Sequence, residues 1–139
     1  MPLVDLDHAA LPTDQPEQMI AFYKALGVEV VHEEAWRQGK TPVFAFALRD
    51  SKINVHPPEL WRNPEFTLRG PTAAPGCGDF CFVWDGSMED VVATLEQADA
   101  PIVEGPVSRQ GGRARGRASG SSVYTRDPDG NLLEFIVYE

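Results

Sequence analysis

Four side chains of the kinds that hold a divalent metal recur at matched places in this chain: His8, His56, Asp79 and Glu134. Each lies in a short apolar stretch that reads as a β-strand, and residues two apart on a strand share a face. Phe80 and Phe82 oppose Asp79 and Cys81. Ile53 and Val55 oppose Asn54 and His56. Leu133, Phe135 and Val137 oppose Leu132 and Glu134, and His8 shares its face with Ala10. The strongly apolar face of each strand is expected to pack on helices, which puts His8, His56, Asp79 and Glu134 together on the other. Two imidazoles and two carboxylates meeting in a cavity suit one borderline divalent ion such as Zn, Ni, Co, Mn or Fe. Without a cation, two buried carboxylates would be costly. An ion held this way acts as a Lewis acid, and Glu134 or Asp79 beside it can move a proton on or off carbon. No sequence feature calls for an organic cofactor.

Other reactive residues carry weaker signals. His32 stands beside Glu33 and Glu34 at a strand end, the setting of a solvated surface histidine. Cys77 and Cys81 lack the partner cysteines of a zinc site, and Cys81 reads most simply as a small apolar filler. Residues 109–117 hold Arg109, Arg113, Arg115 and Arg117 with no acid among them. That stretch is either a solvated loop or a lid. In the second case Arg113 and Arg117 would bind an anionic substrate, because guanidinium grips carboxylate and phosphate bidentately. Tyr124, ten residues before Glu134, is a further candidate to point a hydroxyl at substrate.

The elements that must position these groups repeat. A module over residues 3–56 and another over 77–139 run the same β-α-β-β-β programme, and self-similarity of this kind fixes architecture. In the first, Asp14 and Glu17 stand at capping-box spacing with Pro16 in the first turn, Met19, Ile20, Tyr23 and Leu26 recur at helical spacing, and Gly27 sits where a left-handed C-cap belongs. In the second, Ser87 and Asp90 take the cap positions before Val91, Val92 and Leu95. Strands are expected at 28–31 and 102–103, and each module ends in a hairpin. The second hairpin turns at Asp127-Pro128-Asp129-Gly130, where Pro presets its φ and Gly accepts a positive one. Matching the modules end to end pairs His8 with Asp79 and His56 with Glu134, the extra residues of the second falling in the Arg/Gly stretch. Residues 57–76, with five prolines, read as a stiff, extended connector anchored by Trp61 and Phe66. The fold expected is α+β: two βαβββ modules forming a curved, mixed, eight-stranded sheet, a half-open barrel with helices on its outer face, in one domain over 1–139.

Composition narrows the function. The 139 residues carry 12 Lys+Arg against 21 Asp+Glu, a formal charge of −9, with 42% apolar residues. Net acidity argues against general nucleic-acid binding, which needs a basic face to replace phosphate counterions, and against docking on an anionic membrane. The N-terminus has neither a basic start nor a long apolar run. A cytoplasmic domain acting on a small molecule is expected, with no nucleic-acid or membrane partner.

Three segments carry a family resemblance: Leu6-Asp7-His8, Ala21-Phe22-Tyr23-Lys24-Ala25-Leu26-Gly27, and Arg126-Asp127-Pro128-Asp129-Gly130-Asn131-Leu132-Leu133-Glu134. With Glu104-Gly105-Pro106 they make the chain similar to the vicinal oxygen chelate superfamily of glyoxalases, bleomycin-resistance proteins, fosfomycin-resistance thiol transferases and extradiol dioxygenases. The resemblance implies paired modules around a metal, His8 and Glu134 as ligands with His56 a third, and a homodimer. Fosfomycin transferases and extradiol dioxygenases usually place a histidine where this chain has Asp79, and the four-position pattern is closest to the glyoxalase branch. The implied activity is that of a metal-dependent glyoxalase-like lyase or isomerase. The alternatives are an Fe(II) ring-cleaving dioxygenase, a thiol transferase, or a metal-free protein that binds a drug or metabolite.

Overall fold

Apolar alternation along the strands and an apolar stripe on each long helix build two separate sheets. A computed structural model describes residues 1–138, in which the chain divides into two compact units, Met1–Cys77 and Gly78–Glu139. In the first, strands β1 (His8–Pro12), β2 (Glu29–Val31), β3 (Phe44–Ala47) and β4 (Lys52–His56) lie in the order β1-β4-β3-β2. In the second, β5 (Asp79–Val83), β6 (Glu104–Gln110), β7 (Ser119–Arg126) and β8 (Leu132–Tyr138) lie in the equivalent order β5-β8-β7-β6. Each sheet is mixed: β1 runs parallel to β4 and β5 parallel to β8, and the other pairs are antiparallel. The eight expected strands are therefore two four-stranded mixed sheets of the same topology, in an α+β architecture.

In the first unit, α1 (Pro16–Ala25) covers one face of its sheet. Met19, Ile20 and Tyr23 are buried from the helix, and Leu11, Phe44, Phe46, Ile53 and Val55 from the strands. Tyr23 stacks on Phe46 at 4.1 Å. Burial of each such side chain is worth about 1.5–3 kcal/mol. Gly27 ends the helix at φ 87°, as expected. The Asp14/Glu17 capping box does not form. Gln15 occupies the cap without a side-chain bond, because Arg37 takes Glu17 through two hydrogen bonds of 2.8 Å and Arg62 takes Asp14 at 2.7 Å. Arg37 belongs to α2 (Glu33–Arg37), a short helix that follows β2 directly where the sequence suggested only a strand end. The connector is not simply extended either: it opens with the helical turn α3 (Pro58–Trp61), and the Trp61 indole N–H donates to the Thr13 carbonyl at 2.9 Å.

In the second unit, α4 (Met88–Gln97) carries the full reciprocal capping box of Ser87 and Asp90. Val91 and Leu95 are buried from it, with Val123, Leu133 and Phe135 from the sheet. The β7–β8 turn is locked from inside. The Asp127 carboxylate accepts from the backbone N–H groups of Asp129 and Asn131 and from the Asn131 amide. The Asn131 carbonyl oxygen accepts from the Gly78 N–H at 2.7 Å, clamping the entrance of β5 to that of β8. One strand differs from its expected place. β6 occupies Glu104–Gln110 rather than 102–103, so Arg109 lies on a strand and only the remainder of the Arg/Gly stretch is loop. Among the described residues no helix is long and apolar enough to cross a membrane.

Candidate functional site

The second sheet turns one polar row away from α4. Cys81 on β5, Glu134 on β8 and Tyr124 on β7 are direct register partners, and Glu104 on β6 extends the row beyond Tyr124. Direct partners share a face, so the groups stand side by side across all four strands. Asp79 shares this face, opposite Leu132 and diagonal to Glu134. Neither Asp79 nor Glu134 has a salt-bridge partner among the described residues.

Hydrogen bonds order the row. The Arg109 Nε–H donates to the Tyr124 hydroxyl oxygen at 2.9 Å, and Tyr124 stands directly opposite Glu134 across the β7–β8 ladder. Burial raises the Tyr124 pKa and Glu134 raises it further, against the lowering effect of Arg109. Cys81 is exposed as a residue, yet partial burial of its thiol, with Glu134 and Asp79 adding repulsion, pushes it up to about 12. Both neighbours of Glu134 therefore keep their protons. Cys81 stands in the polar row beside Glu134 instead of serving only as a small apolar filler.

Arg109, not singled out from its cluster, is the arginine in contact with this row. Arg113 lies on the turn joining β6 to β7, where its guanidinium sits over the Tyr138 ring at 4.3 Å and its backbone N–H donates to the Tyr138 hydroxyl at 3.3 Å. Arg117 closes the same turn by a backbone bond to the Arg113 carbonyl at 3.1 Å. Tyr138 follows Glu134 by four residues on β8 and so shares its face. A side chain at Gly111 would overlap the Tyr138 hydroxyl, so the close seating of the turn requires glycine there.

The first unit presents His8 in the row His8–Lys52–Ala47–Glu29 and His56 opposite Pro12. The two histidines share a face but lie four residues apart along the β1–β4 ladder, about 13 Å at strand rise. His8 is exposed, and its Nδ1 sits 2.6 Å from Asp7 Oδ1. His56 is only 8% exposed, edge-on to Phe66 at 5.2 Å. Burial, and then Arg69, lower its pKa. The expected equivalence of His56 with Glu134 does not hold in register. His8 pairs with Lys52 as Asp79 pairs with Leu132, so the residue in Glu134's place is Asn54. Among the described residues no three His, Cys, Asp or Glu side chains gather closely enough to hold a metal.

Within each unit the donors are of kinds a divalent ion takes, though fewer than three gather in either. Two carboxylates stand as diagonal neighbours without a cation. His8 offers Nε2 while a carboxylate engages Nδ1, the arrangement that orients metal-bound imidazoles.

Residues 5–135 match the model of the Glyoxalase/Bleomycin resistance protein/Dioxygenase superfamily. The chain belongs to this superfamily. Its relatives include virulence protein STM3117 of Salmonella typhimurium, 37% identical over 134 residues that cover 96% of this chain and 83% of the relative. The crystal structure of that protein superposes with a TM-score of 0.81 at 34% identity, covering 100% of both chains. Glyoxalase domain-containing protein RDO1 of Mycosarcoma maydis is 35% identical over 136 residues, 96% of this chain and 68% of that one. Lactoylglutathione lyase of Agrobacterium tumefaciens shares the superfamily's fold at 22% identity, with a TM-score of 0.69 over 99% of this chain and 100% of that one.

Proposed function

We propose that this superfamily member is a divalent-metal-dependent lyase or isomerase of glyoxalase type, acting on a small substrate with adjacent oxygens. The observation that carries the reading is the pair Asp79 and Glu134 on one face of the second sheet, neither in a salt bridge among the described residues. The proposed donors on this sheet are Asp79 and Glu134, for Zn, Ni, Co, Mn or Fe. His8 and His56, four residues apart along the β1–β4 ladder, do not serve one ion together.

A bound ion would stabilise negative charge developing on the substrate oxygens. The chain supplies the rest. Glu134 takes a proton from carbon and returns it, within reach of a substrate lying on the row. Tyr124 and Cys81 flank that carboxylate on the neighbouring strands. Asp79, which has no such donors, is the alternative base. Arg113 and Arg117 carry positive charge on the turn seated at Tyr138, where an anionic substrate group would meet it. The working form is a homodimer, the commonest symmetric assembly.

The test is metal analysis of untagged protein, then turnover of hemithioacetal and α-hydroxycarbonyl substrates after reconstitution with each ion. Metal uptake with turnover is expected. Oxygen consumption with catechols under Fe(II) would replace this reading with a dioxygenase. A second reading, a metal-independent binding protein, is favoured by the lack of any three-donor cluster among the described residues. Protein that takes up no ion but binds small molecules would establish it.

A further inference from the structure

We infer that the first unit carries a small-molecule site of its own, a cleft between α2 and α3 that takes a flat, apolar-bodied monocarboxylate with Lys40 as its charge anchor. The lining of the cleft includes none of the proposed metal donors, so this site and the metal reading stand or fall separately.

The cleft has a volume of about 690 Å³, within the roughly 300–1,000 Å³ of small-molecule sites. Both of its walls are tied to the start of α1. On one side Arg37, the last residue of α2, takes the Glu17 carboxylate through two hydrogen bonds of 2.8 Å and Glu33 through Nε at 2.9 Å. Beside it Trp36 packs on the buried Phe44, with ring centroids 4.8 Å apart. On the other side Arg62, just beyond α3, takes Asp14 at 2.7 Å, and the Trp61 indole N–H holds the Thr13 carbonyl at 2.9 Å. Asp14 and Glu17, which do not form a capping box, thus each hold one wall. A bidentate pair such as Arg37–Glu17 fixes geometry as well as charge. Walls fixed in advance lower the ordering cost of binding.

The chemistry of the lining selects the ligand. Trp36, Pro42 and Leu60 supply apolar surface, with Trp36 and Leu60 half-buried. The polar groups beside them are mostly donors. Among the described residues Lys40 has no salt bridge and the Trp36 indole N–H no hydrogen bond. Asn63 accepts from the Glu65 N–H at 3.0 Å through Oδ1, which leaves its amide N–H groups to donate. Arg37 also lines the cleft, but its guanidinium already meets two carboxylates. Lys40 is therefore the cation left for a ligand, an ammonium on a flexible stem. A flat apolar body covering Trp36 and Leu60, with a carboxylate that reaches Lys40, satisfies both parts of the lining. Glu59 has no salt bridge among the described residues, and its charge opposes a second negative group. The cleft thus favours a monocarboxylate over a dicarboxylate or a phosphate.

The test uses 2-naphthoate as the probe, titrated by isothermal calorimetry into wild type, Lys40→Gln, Leu60→Ala and Glu134→Gln. Neutral 2-naphthamide and the cation 2-naphthylmethylammonium are the comparison ligands. Melting of each ligand-free variant reports any folding defect separately. Wild type is expected to bind one 2-naphthoate per chain. Lys40→Gln should weaken 2-naphthoate about 10-fold, the scale of a charge-assisted hydrogen bond, and leave 2-naphthamide unchanged. Leu60→Ala should weaken both compounds to the same degree. Glu134→Gln should bind 2-naphthoate as wild type does, because Glu134 is not in the lining. Absence of 2-naphthoate binding overturns the proposal, and so does binding that neither Lys40→Gln nor Leu60→Ala changes. Tighter binding of the ammonium than of the carboxylate overturns it as well. A loss in Glu134→Gln places the ligand on the second sheet and overturns it while leaving the proposed function standing.

Discussion

Tyr124 and Glu134 face each other directly across the β7–β8 ladder, and Arg109 holds the phenol oxygen at 2.9 Å. The pair has no counterpart in the first sheet, where Ala45 and Asn54 occupy the same relation. The two sheets share a topology but not a set of polar side chains, and the phenol–carboxylate pair belongs to the second.

Glu134→Gln keeps the shape of the side chain and removes its charge and basicity. Turnover is expected to fall at least ~100-fold, the scale of a lost general base. Folding stability should stay within about 0.5 kcal/mol, as for a substitution outside the core. Steady-state kinetics and urea unfolding on one preparation check both.

Arg113 and Arg117 lie on the turn seated on Tyr138. Replacing both by Ala should weaken binding of an anionic substrate by about 10-fold or more, chiefly as a rise in KM, since charge-assisted bonds are worth about 1.5–3 kcal/mol. Comparison with a neutral analogue isolates the effect, because the neutral compound should be indifferent to the change.

Asn131→Ala removes the acceptor for the Gly78 N–H and two donors to Asp127, all in a buried turn. Stranding buried polar groups costs about 1–3 kcal/mol each. The variant is expected to lose about 2–4 kcal/mol in urea unfolding, with no change in metal affinity per folded molecule.

Gly105→Ala places a methyl against the Ser122 carbonyl at a backbone angle that side chains rarely adopt. The expected loss is about 2 kcal/mol or more.

His56 predicts a pH dependence. Burial and Arg69 lower its folded pKa beneath the ordinary imidazole value, so between the two values the unfolded chain binds more protons than the folded one. Stability from this group is fully present above the unfolded pKa of about 6.5 and is lost as pH falls through the window below it. Wild type should lose melting temperature between about pH 7 and pH 5. His56→Phe should lose less over the same interval.

What the sequence showed and what it hid divide along a physical line. Ser87 with Asp90, Gly27, and the Asp127–Gly130 turn act within a few residues of themselves, so local spacing reveals them. The place of Asn54 was hidden because strand register is fixed by pairing, and counting through loops of unequal length chose His56, two residues along on the same face. Arg109 was hidden for a related reason. Alternation assumes an unbroken strand, and Gly105-Pro106 inserts a residue that reverses it. β6 itself was hidden because Gly, Pro and Ser resist strand formation, and pairing with β7 overrides that preference. The first-turn acids of α1 were misread because Arg62 and Arg37, distant in sequence, claim them first.

The clasp between Asn131 and Gly78 has a consequence for how such chains are put together. It joins the first residue of the second unit to that unit's own closing turn, so the sheet is buttoned at its entrance without help from anything upstream. A loop grafted into the connector before Gly78, or a scission there, would leave the fastening untouched. The second sheet is thus fastened by its own residues, whatever the length of chain before Gly78.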